Sequence, residues 1–334
     1  MKTDPLPTVS VVVPIYNEAE TVERLLDKLS AILPTCTGEY EILIVDDGSS
    51  DGSAELLDSA AARDPRIVVI HFRTNFGQTA ALSAGFHRAR FEVVVTLDAD
   101  LQNDPADIPA LLSKIAAGND IVSGWRKERQ DPLLTRRLPS YLANRLISYI
   151  TGVKLHDYGC TLKAYRRDLL QHIQLYGELH RFIPALGAWA GAAVDEVPVR
   201  HHPRRHGRSH YGLSRVFKVL LDLLTVKFLL DYATRPIHIF GAIGFASGLM
   251  GLITLGATVY LRFVPPRGER LDMSGNPLLY LSLLAILFAA LFVAIGLLAE
   301  LVVRTYHETQ RKPIYVIKEG PTSATRGSGS ARPS

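Results

Sequence analysis

The sequence predicts an α/β domain with a mainly parallel, Rossmann-like sheet, followed by interfacial helices and two transmembrane helices. Two observations lead to this fold class. Short apolar runs rich in β-branched residues alternate with helical patterns in the first part of the chain, an order that favours a parallel sheet with helices on both faces. Two long uncharged windows follow near the C-terminus of the 334 residues. We expect domain limits at 1–212, 213–235, 236–304 and 305–334.

The first four strands are the clearest elements. They are predicted at 9–13, 41–45, 67–72 and 93–97, and each is followed by a polar turn and then a helical pattern. In parallel sheets, ligands bind beyond the carboxyl ends of the strands. Polar residues gather at these ends, in segments 14–18, 46–49, 73–77 and 98–100. We therefore expect the functional site at this edge of the sheet.

A pair of carboxylates gives the strongest single signal. Asp98 and Asp100 stand at i and i+2, where the fourth strand should end. Alternate strand side chains point the same way, so both carboxylates are expected to face one site. Hard oxygen ligands suit Mg²⁺ or Mn²⁺ better than zinc. Asp104 before Pro105 has the pattern of an N-cap with proline at the first helical position, so a helix should start there.

The two uncharged windows, 237–261 and 278–299, predict membrane-spanning helices. At 1.5 Å per residue each helix is on the order of 30 Å or more long, enough to cross a bilayer. A buried helical hairpin is the alternative, but two such spans in tandem argue against it. Residues 1–7 are polar and show no signal-peptide pattern. We expect the first 230 residues and the C-terminal tail to face the cytosol, as in a multi-pass membrane protein.

Charge and composition narrow the function class. The stretch 213–232 has apolar residues at helical spacing with cations between them, which indicates an interfacial helix, although a core helix is the alternative. A net charge of +4 suits an anionic membrane surface, and no aromatic-interleaved platform for nucleic acid is present. Two distant cysteines suggest no disulfide framework. The tail from Pro321 has a composition typical of disorder.

The expected ligand is a nucleoside-diphosphate donor. The chain lacks both the G-x-G-x-x-G fingerprint and the phosphate loop G-x-x-x-x-G-K-[ST], so NAD and P-loop interpretations lose their support. A carboxylate at a strand end can bind a base or ribose hydroxyl. A metal on a second carboxylate can neutralise the diphosphate as a Lewis acid.

Six segments carry a resemblance to a known family. Three of them resemble the family 2 glycosyltransferases of the GT-A fold: 11–18, 46–51 and 97–102. Together with the two C-terminal spans, three more resemble the bacterial polyprenyl-phosphate glycosyltransferases, relatives of dolichol-phosphate mannose synthase: 157–160, 180–184 and 203–211. The resemblance covers roughly residues 8–312. It implies that 1–212 is a GT-A catalytic domain and that the protein lies in the bacterial inner (plasma) membrane. His210 departs from it, because that position is usually Lys, and leaves the charge near the acceptor phosphate weaker or pH-dependent.

The resemblance implies roles for the motif residues on the donor side. Those that would hold the nucleoside are Pro14, Tyr16, Glu18, Asp47 and Asp98. Those that would coordinate Mg²⁺ or Mn²⁺ with the donor diphosphate are Asp98, Asp100 and Gln102.

On the acceptor side, the resemblance implies phosphate binding by three arginines, Arg126, Arg136 and Arg204. A solvated surface charge is the alternative for the first two. Arg204 would bind the lipid phosphate together with Ser209. Asp157 would lie on the acceptor side and completes the catalytic set with Asp100 and Arg204.

A zinc site at three histidines and a nucleophilic cysteine are two further interpretations, and the residues favour neither. His202, His206 and His210 recur every four residues, but Pro203 and Gly207 interrupt a helical zinc site. A phosphate-binding loop beside the membrane is the better interpretation. Cys160 has no base beside it in sequence and is expected to be a small packed residue rather than a nucleophile.

The predicted function is the transfer of one sugar, with inversion, from a nucleotide sugar to undecaprenyl phosphate or another polyprenyl phosphate. The first expected donor is UDP-glucose, followed by other UDP- or GDP-hexoses. A phosphate monoester is largely dianionic at pH 7, so positioning and charge stabilisation rather than a strong base must carry catalysis. A processive polysaccharide synthase is one alternative, but its Gln-x-x-Arg-Trp segment is missing. An inactive membrane-tethered nucleotide-sugar-binding scaffold is the other. We also expect a homo-oligomer, and relatives suggest a tetramer.

Overall fold

A computed structural model describes residues 6–127, 138–173, 175, 179–203, 223, 225–228, 236–266, 272 and 276–310. The chain forms two compact units, one within residues 1–226 and the other within 227–317. The predicted domain limits at 212 and 235 fall outside the described residues and stay predictions.

The first unit is built on a seven-stranded sheet with the order β3-β2-β1-β4-β6-β5-β7. Strand β6 is antiparallel to β4 and β5, and the other pairs are parallel. The mainly parallel sheet is therefore confirmed, and the first four predicted strands agree with the observed ones to within two residues. The strands are β1 Val9–Ile15, β2 Tyr40–Asp46, β3 Ile67–His71, β4 Val93–Thr96, β5 Ile121–Trp125, β6 Lys163–Arg166 and β7 Val194–Pro198.

Helices cover both faces of this sheet. They are α1 Val22–Cys36, α2 Ser53–Arg63, α3 Gln78–Arg88, α4 Ile108–Ala116, α5 Leu138–Thr151, α6 Arg167–His172 and α7 Ile183–Trp189. In β1, Val11 and Val13 belong to a core cluster that includes residues of α1, α2 and α4. Val12 points the other way and belongs to a cluster with residues of α3, α6 and α7. Because successive strand side chains alternate, a run of valines is buried on both faces.

The turn after β4 leads directly into α4. The Asp104 side chain accepts a hydrogen bond from the main-chain N–H of Ala106 at 3.1 Å, and Pro105 opens a short 3₁₀ turn. The predicted cap is thus confirmed. It fixes the point at which the chain turns back from the carboxyl edge of the sheet.

The second unit consists of two long helices, α8 Ile237–Phe263 and α9 Pro277–Gln310. A Cβ added at Gly251 would lie 2.8 Å from Cγ1 of Ile286, so the glycine allows close helix packing. Both helices are long and apolar enough to cross a membrane, and only 11% and 17% of their most apolar windows are buried. A soluble core hairpin would be mostly buried, so these values favour the predicted spans.

Two sequence predictions fall largely or wholly outside the described residues. Within the predicted interfacial stretch 213–232, only residues 223 and 225–228 are described, and they are helical. The tail from Pro321, predicted to be disordered, lies outside the described residues altogether.

Candidate active site

Hydrogen bonds join the loops that follow β1 and β2. The main-chain N–H of Asn17 donates to Oγ of Ser49 at 2.9 Å, and its side-chain oxygen accepts from the N–H of Ser50 at 2.8 Å. The N–H of Glu18 donates to Oγ of Ser53 at 3.1 Å. Asn17 has a φ of 54°, a left-handed conformation that asparagine tolerates. The first two motifs therefore build one continuous surface at the carboxyl edge of the sheet.

Asp47 ties a third loop to that surface. Its carboxylate accepts hydrogen bonds from the main-chain N–H groups of Phe76 at 2.7 Å and Gly77 at 2.8 Å. The next residue, Gly48, has a φ of 73°, and a Cβ there would lie 2.6 Å from the carbonyl carbon of Thr74. Only glycine fits this close approach of two loops. The predicted nucleoside ligand Asp47 is thus buried and anchors the start of α3.

The structure corrects one argument about the two carboxylates after β4. The strand ends at Thr96, so Asp98 and Asp100 lie in a turn rather than on a strand. Leu101 follows with a φ of 58°, which reverses the chain. Strand alternation therefore does not orient the two carboxylates, and the prediction that both face one site loses that argument. They line two different cavities.

Asp98 lies at a small inner cavity with a volume of about 10 Å³, which Pro14, Lys163 and His180 also line. Nε2 of Gln78 donates a hydrogen bond to Asp98 at 2.7 Å. Burial, and then the negative charge of Asp100, raise the pKa of Asp98 to about 6. The two carboxylates therefore interact electrostatically although they line separate cavities.

Asp100 lies at the larger outer cavity, which has a volume of about 150 Å³. The residues that line it are Glu18, Thr21, Arg24, Lys28, Asp100, Leu101, His202 and Pro203. The main-chain N–H of Gln102 donates to Oδ1 of Asp100 at 3.1 Å, which orients that carboxylate. Among the described residues, no three His, Cys, Asp or Glu side chains form a metal-binding group.

Arg126 and Asp157 form a buried ion pair at the end of β5. Nε of Arg126 donates to Oδ2 of Asp157 at 2.7 Å, and Nη2 donates to Oδ1 at 3.0 Å. Burial opposes the charge of Arg126, but the hydrogen bonds to Asp157 hold the pKa of the guanidinium above its usual value. The alternative of a solvated surface charge is therefore excluded for Arg126, whose side chain is 14% exposed.

The residues after Asp157 pack beneath this pair. Cys160 is fully buried, and a Cβ added at Gly124 would lie 2.9 Å from its Sγ. Burial raises the pKa of the Cys160 thiol to about 11. A protonated, enclosed thiol is a packing residue, as predicted.

Comparison with known proteins gives the family. The model of glycosyl transferase family 2 matches residues 10–174. A dodecaprenyl-phosphate galacturonate synthase from Rhizobium johnstonii is 40% identical over 314 residues, which are 93% of this chain and 92% of that protein. The chain belongs to glycosyl transferase family 2. An undecaprenyl-phosphate 4-deoxy-4-formamido-L-arabinose transferase from Pseudomonas fluorescens is 38% identical over 96% of this chain and 91% of its own.

Solved structures show the fold of this glycosyltransferase. Glucosyl-3-phosphoglycerate synthase from Mycobacterium tuberculosis, in complex with Mn²⁺, UDP and glucosyl-3-phosphoglycerate, aligns with a TM-score of 0.52 at 19% identity, over 66% of this chain and 80% of its own. Mannosyl-3-phosphoglycerate synthase from Rubrobacter xylanophilus aligns with a TM-score of 0.51 at 20% identity, over 66% and 74%. The GT-A fold and the resemblance to polyprenyl-phosphate glycosyltransferases are thus confirmed.

Several predicted site residues cannot be placed, because they lie outside the described residues. These are Arg136, Arg204, His206, Ser209 and His210. His202 is described, and its Nε2 lies 3.1 Å from Oδ2 of Asp104.

Three residues near the site were not predicted from the sequence. Gln78 contacts Asp98, and Asn103 donates from Nδ2 to Oγ1 of Thr161 at 2.9 Å. Lys163 is a buried cation that donates to the main-chain carbonyls of Tyr158 and Cys160. The contacts of Gln78 and Asn103 join segments at least 20 residues apart, so no local pattern indicates them. Lys163 contacts nearby residues, but a lysine at the start of a short strand gives no sign that it is buried.

Proposed function

We propose that this family 2 glycosyltransferase transfers a single sugar from a nucleoside-diphosphate sugar to a polyprenyl phosphate at a membrane surface. The observation that carries the proposal is the outer cavity, where Asp100 faces open space beside the joined loops of the first two motifs. Such an edge of a mainly parallel sheet is where α/β proteins bind nucleotides. Both relatives, each aligned over more than nine-tenths of its length, are named as acting on polyprenyl phosphates.

The residues around Asp100 fit a divalent cation. Its carboxylate lines a cavity of about 150 Å³ that also contains Glu18, and all their side-chain donors are hard oxygens. Mg²⁺ and Mn²⁺ sites of nucleotide enzymes commonly use one or two carboxylates and leave other positions to phosphate oxygens and water. Asp100 and Gln102 would hold this ion together with Asp98, which lines the smaller cavity but is close enough to Asp100 for their charges to interact. The ion would neutralise charge on the departing diphosphate.

The protein's own residues would orient the two substrates. Tyr16, 49% exposed beside the joined loops, offers its ring to the base, while Pro14, Glu18 and Asp47 complete the proposed nucleoside site. Asp157 holds Arg126 through Nε and Nη2, and the Nη1 donors, for which the described part of the chain shows no partner, would bind a phosphate.

Arg136, Arg204 and Ser209 complete the proposed acceptor side. They would fix the lipid phosphate for in-line attack with inversion. Because that phosphate is already largely dianionic, alignment and charge stabilisation suffice without a strong base.

The donor sugar follows from the relatives rather than from the site. Their names contain galacturonate and 4-deoxy-4-formamido-L-arabinose, and neither is glucose. UDP-glucose, the first expectation from the sequence, is not supported. We place UDP-galacturonate first and the formamido-arabinose donor second.

A donor panel tests this assignment. Membranes that contain the full chain receive undecaprenyl phosphate, Mn²⁺ and one radiolabelled donor each: UDP-galacturonate, UDP-4-deoxy-4-formamido-L-arabinose, UDP-glucose or GDP-mannose. We expect lipid-linked label from one of the first two and background from the others. Label from UDP-glucose alone would contradict the donor assignment but leave the acceptor proposal standing.

A further inference from the structure

Two cations on α1 line the outer cavity, and none of the roles above uses them. Arg24 and Lys28 stand at i and i+4, so their side chains share one face of the helix. Thr21, one turn earlier, lines the same cavity. Asp100, the carboxylate proposed to hold the metal, also lines this cavity. The cavity thus places two cations beside a candidate metal ligand.

Within the described part of the chain, the charge of Lys28 helps to lower the pKa of Asp104, but neither cation is held in a salt bridge. Arg24 and Lys28 are exposed, and neither forms an ion pair with a described carboxylate. Some cations of the same unit are paired, such as Arg90 with Glu41, Lys114 with Asp195, and Arg200 with Asp107, and others, such as Arg88, are in no ion pair with a described carboxylate. The positive charge at the cavity is therefore available to an anionic ligand.

We propose that Arg24 and Lys28 bind a phosphate group of one of the two substrates, the donor diphosphate or the lipid phosphate. This inference rests on the proposed function, since both of its substrates carry phosphate. Arg24 can donate two parallel hydrogen bonds to phosphate oxygens, and Lys28 adds a compact charge one turn away. A divalent ion at Asp100 and the two cations on α1 would then share the charge of a substrate phosphate within one cavity.

Equilibrium binding tests the inference without turnover. The full chain in lipid nanodiscs is titrated with UDP plus Mn²⁺ as the donor probe, and with geranyl phosphate as the acceptor probe. We expect Arg24→Ala and Lys28→Ala each to lower the affinity for one of the two probes by about fivefold. This is the effect of losing roughly 1 kcal/mol from a solvent-exposed charge pair. The double variant should lose more, and Arg24→Lys should retain part of the affinity. The probe whose affinity falls identifies which substrate phosphate Arg24 and Lys28 bind.

The matched control is Arg88→Ala. Arg88 is an exposed arginine in the last turn of α3, at the opposite edge of the sheet, and should change neither affinity. Salt adds a second readout, because affinity for the affected probe should fall with ionic strength less steeply in the double variant than in the wild type.

Two outcomes would contradict the inference: unchanged affinity for both probes in the double variant, or no binding of either probe by the wild type. The proposed function fails in a different way. A wild-type chain that binds both probes, with Arg24 and Lys28 contributing, but transfers no sugar would overturn the function and leave the phosphate site standing.

Discussion

At the scale of single residues, the site depends on carboxylates that hold other groups in place. Asp157 orients Arg126, Asp47 anchors the start of α3, and Asp104 caps the turn before α4. Each bonds a main-chain N–H or a guanidinium, and each stands at the carboxyl edge of the sheet. Charged residues in these motifs therefore have a structural role in addition to any contact with substrate.

The ion pair between Arg126 and Asp157 gives the first prediction. Asp157→Asn leaves a buried guanidinium without its counter-charge, so we expect the free energy of unfolding to fall by about 3 kcal/mol and transfer activity to be lost. The control is Asp195→Asn, which breaks an exposed pair with Lys114 and should cost less than about 1 kcal/mol. Thermal unfolding of both variants in detergent measures the difference.

A double variant separates stability from activity at the same position. Arg126→Met combined with Asp157→Leu removes both charges, and we expect it to recover much of the lost stability. Transfer should stay lost, because the guanidinium that the acceptor site needs is gone. Recovery of activity in the double variant would show that the pair is only structural.

His71 gives a pH-dependent prediction. Its ring lies between Asp46, at 2.8 Å from Nδ1, and Asp58, at 3.1 Å from Nε2. Burial opposes protonation, but the hydrogen bonds to both carboxylates raise the pKa of His71 above its usual value. A raised histidine pKa stabilises the folded state below about pH 6.5, and the stabilisation is lost as the pH rises through the folded-state value.

We therefore expect the wild type to lose stability between pH 6 and 8 relative to His71→Gln, by less than about 1 kcal/mol because the His71 side chain is 36% exposed and solvent screens its charge. The control is His87→Gln, since the one hydrogen bond of His87 within the described part of the chain joins its Nδ1 to the main-chain carbonyl of Ser83. Unfolding midpoints across this pH range measure the effect. Parallel pH profiles for the wild type and His71→Gln would refute it.

Contacts between neighbouring residues could be predicted from the sequence, whereas contacts between residues on different strands and loops could not. The Asp104 cap needs only its neighbours Pro105 and Ala106, so it could be predicted. The pair of Arg126 and Asp157 joins positions 31 residues apart, through a strand order that no local pattern specifies.

At the scale of elements, burial on both faces decided which strands could be predicted. The strands β1, β2 and β4 are continuous apolar runs because helices cover them on both sides. Strand β6 begins with Lys163 and ends with Arg166, and β7 contains Asp195 and Glu196. These charges hide the strand pattern, and the antiparallel direction of β6 depends on its partners.

The end of β4, which lies at Thr96, could not be predicted either. An apolar run shows that a strand is present but not its last residue. The chain reverses at Leu101, in a left-handed conformation that leucine rarely adopts, so nothing in the sequence predicted a turn there. Asp98 and Asp100 therefore line separate cavities despite their i and i+2 spacing.

The contact between the β2 and β3 loops gives a prediction at this scale. Gly48→Ala combines a φ of 73° with a Cβ placed 2.6 Å from the carbonyl carbon of Thr74, so the loops must separate. We expect a loss of about 2 kcal/mol or more and weaker UDP binding.

Gly52→Ala is the matched control for that change. Its φ is 90°, but an added Cβ would meet nothing within 4 Å, so it should cost only about 1 kcal/mol and leave UDP binding unchanged. Equal effects of the two alanines on UDP affinity would show that the loop contact does not shape the nucleotide site.

At the scale of the whole molecule, the two units have different surfaces. The first has a sheet buried between helices, whereas α8 and α9 expose large apolar side chains along most of their length. An apolar surface of this extent needs a lipid environment or a partner. The homo-oligomer expected from relatives stays a prediction.

Topology can be tested with single cysteines. If α8 and α9 both cross the membrane, a cysteine in place of Gly275 should react with an impermeant thiol reagent in intact cells. One in place of Gly320 should react only after the cells are opened, because positively charged flanks favour the cytosolic side. The reverse pattern would place the catalytic domain on the wrong side for nucleotide sugars.

The most direct test of the account is mass analysis of the lipid formed by the full chain from undecaprenyl phosphate, UDP-galacturonate or the formamido-arabinose donor, and Mn²⁺. The account predicts one product that carries one sugar on the phosphate, absent in EDTA and reduced more than about 100-fold in Asp100→Asn. Asp64→Asn, in an exposed turn with Arg66, is the control and should keep full activity. A ladder of sugars would indicate a processive synthase, and undiminished transfer in EDTA would refute the metal site. No lipid product from either donor, with UDP still bound, would contradict the account and favour a nucleotide-sugar-binding scaffold.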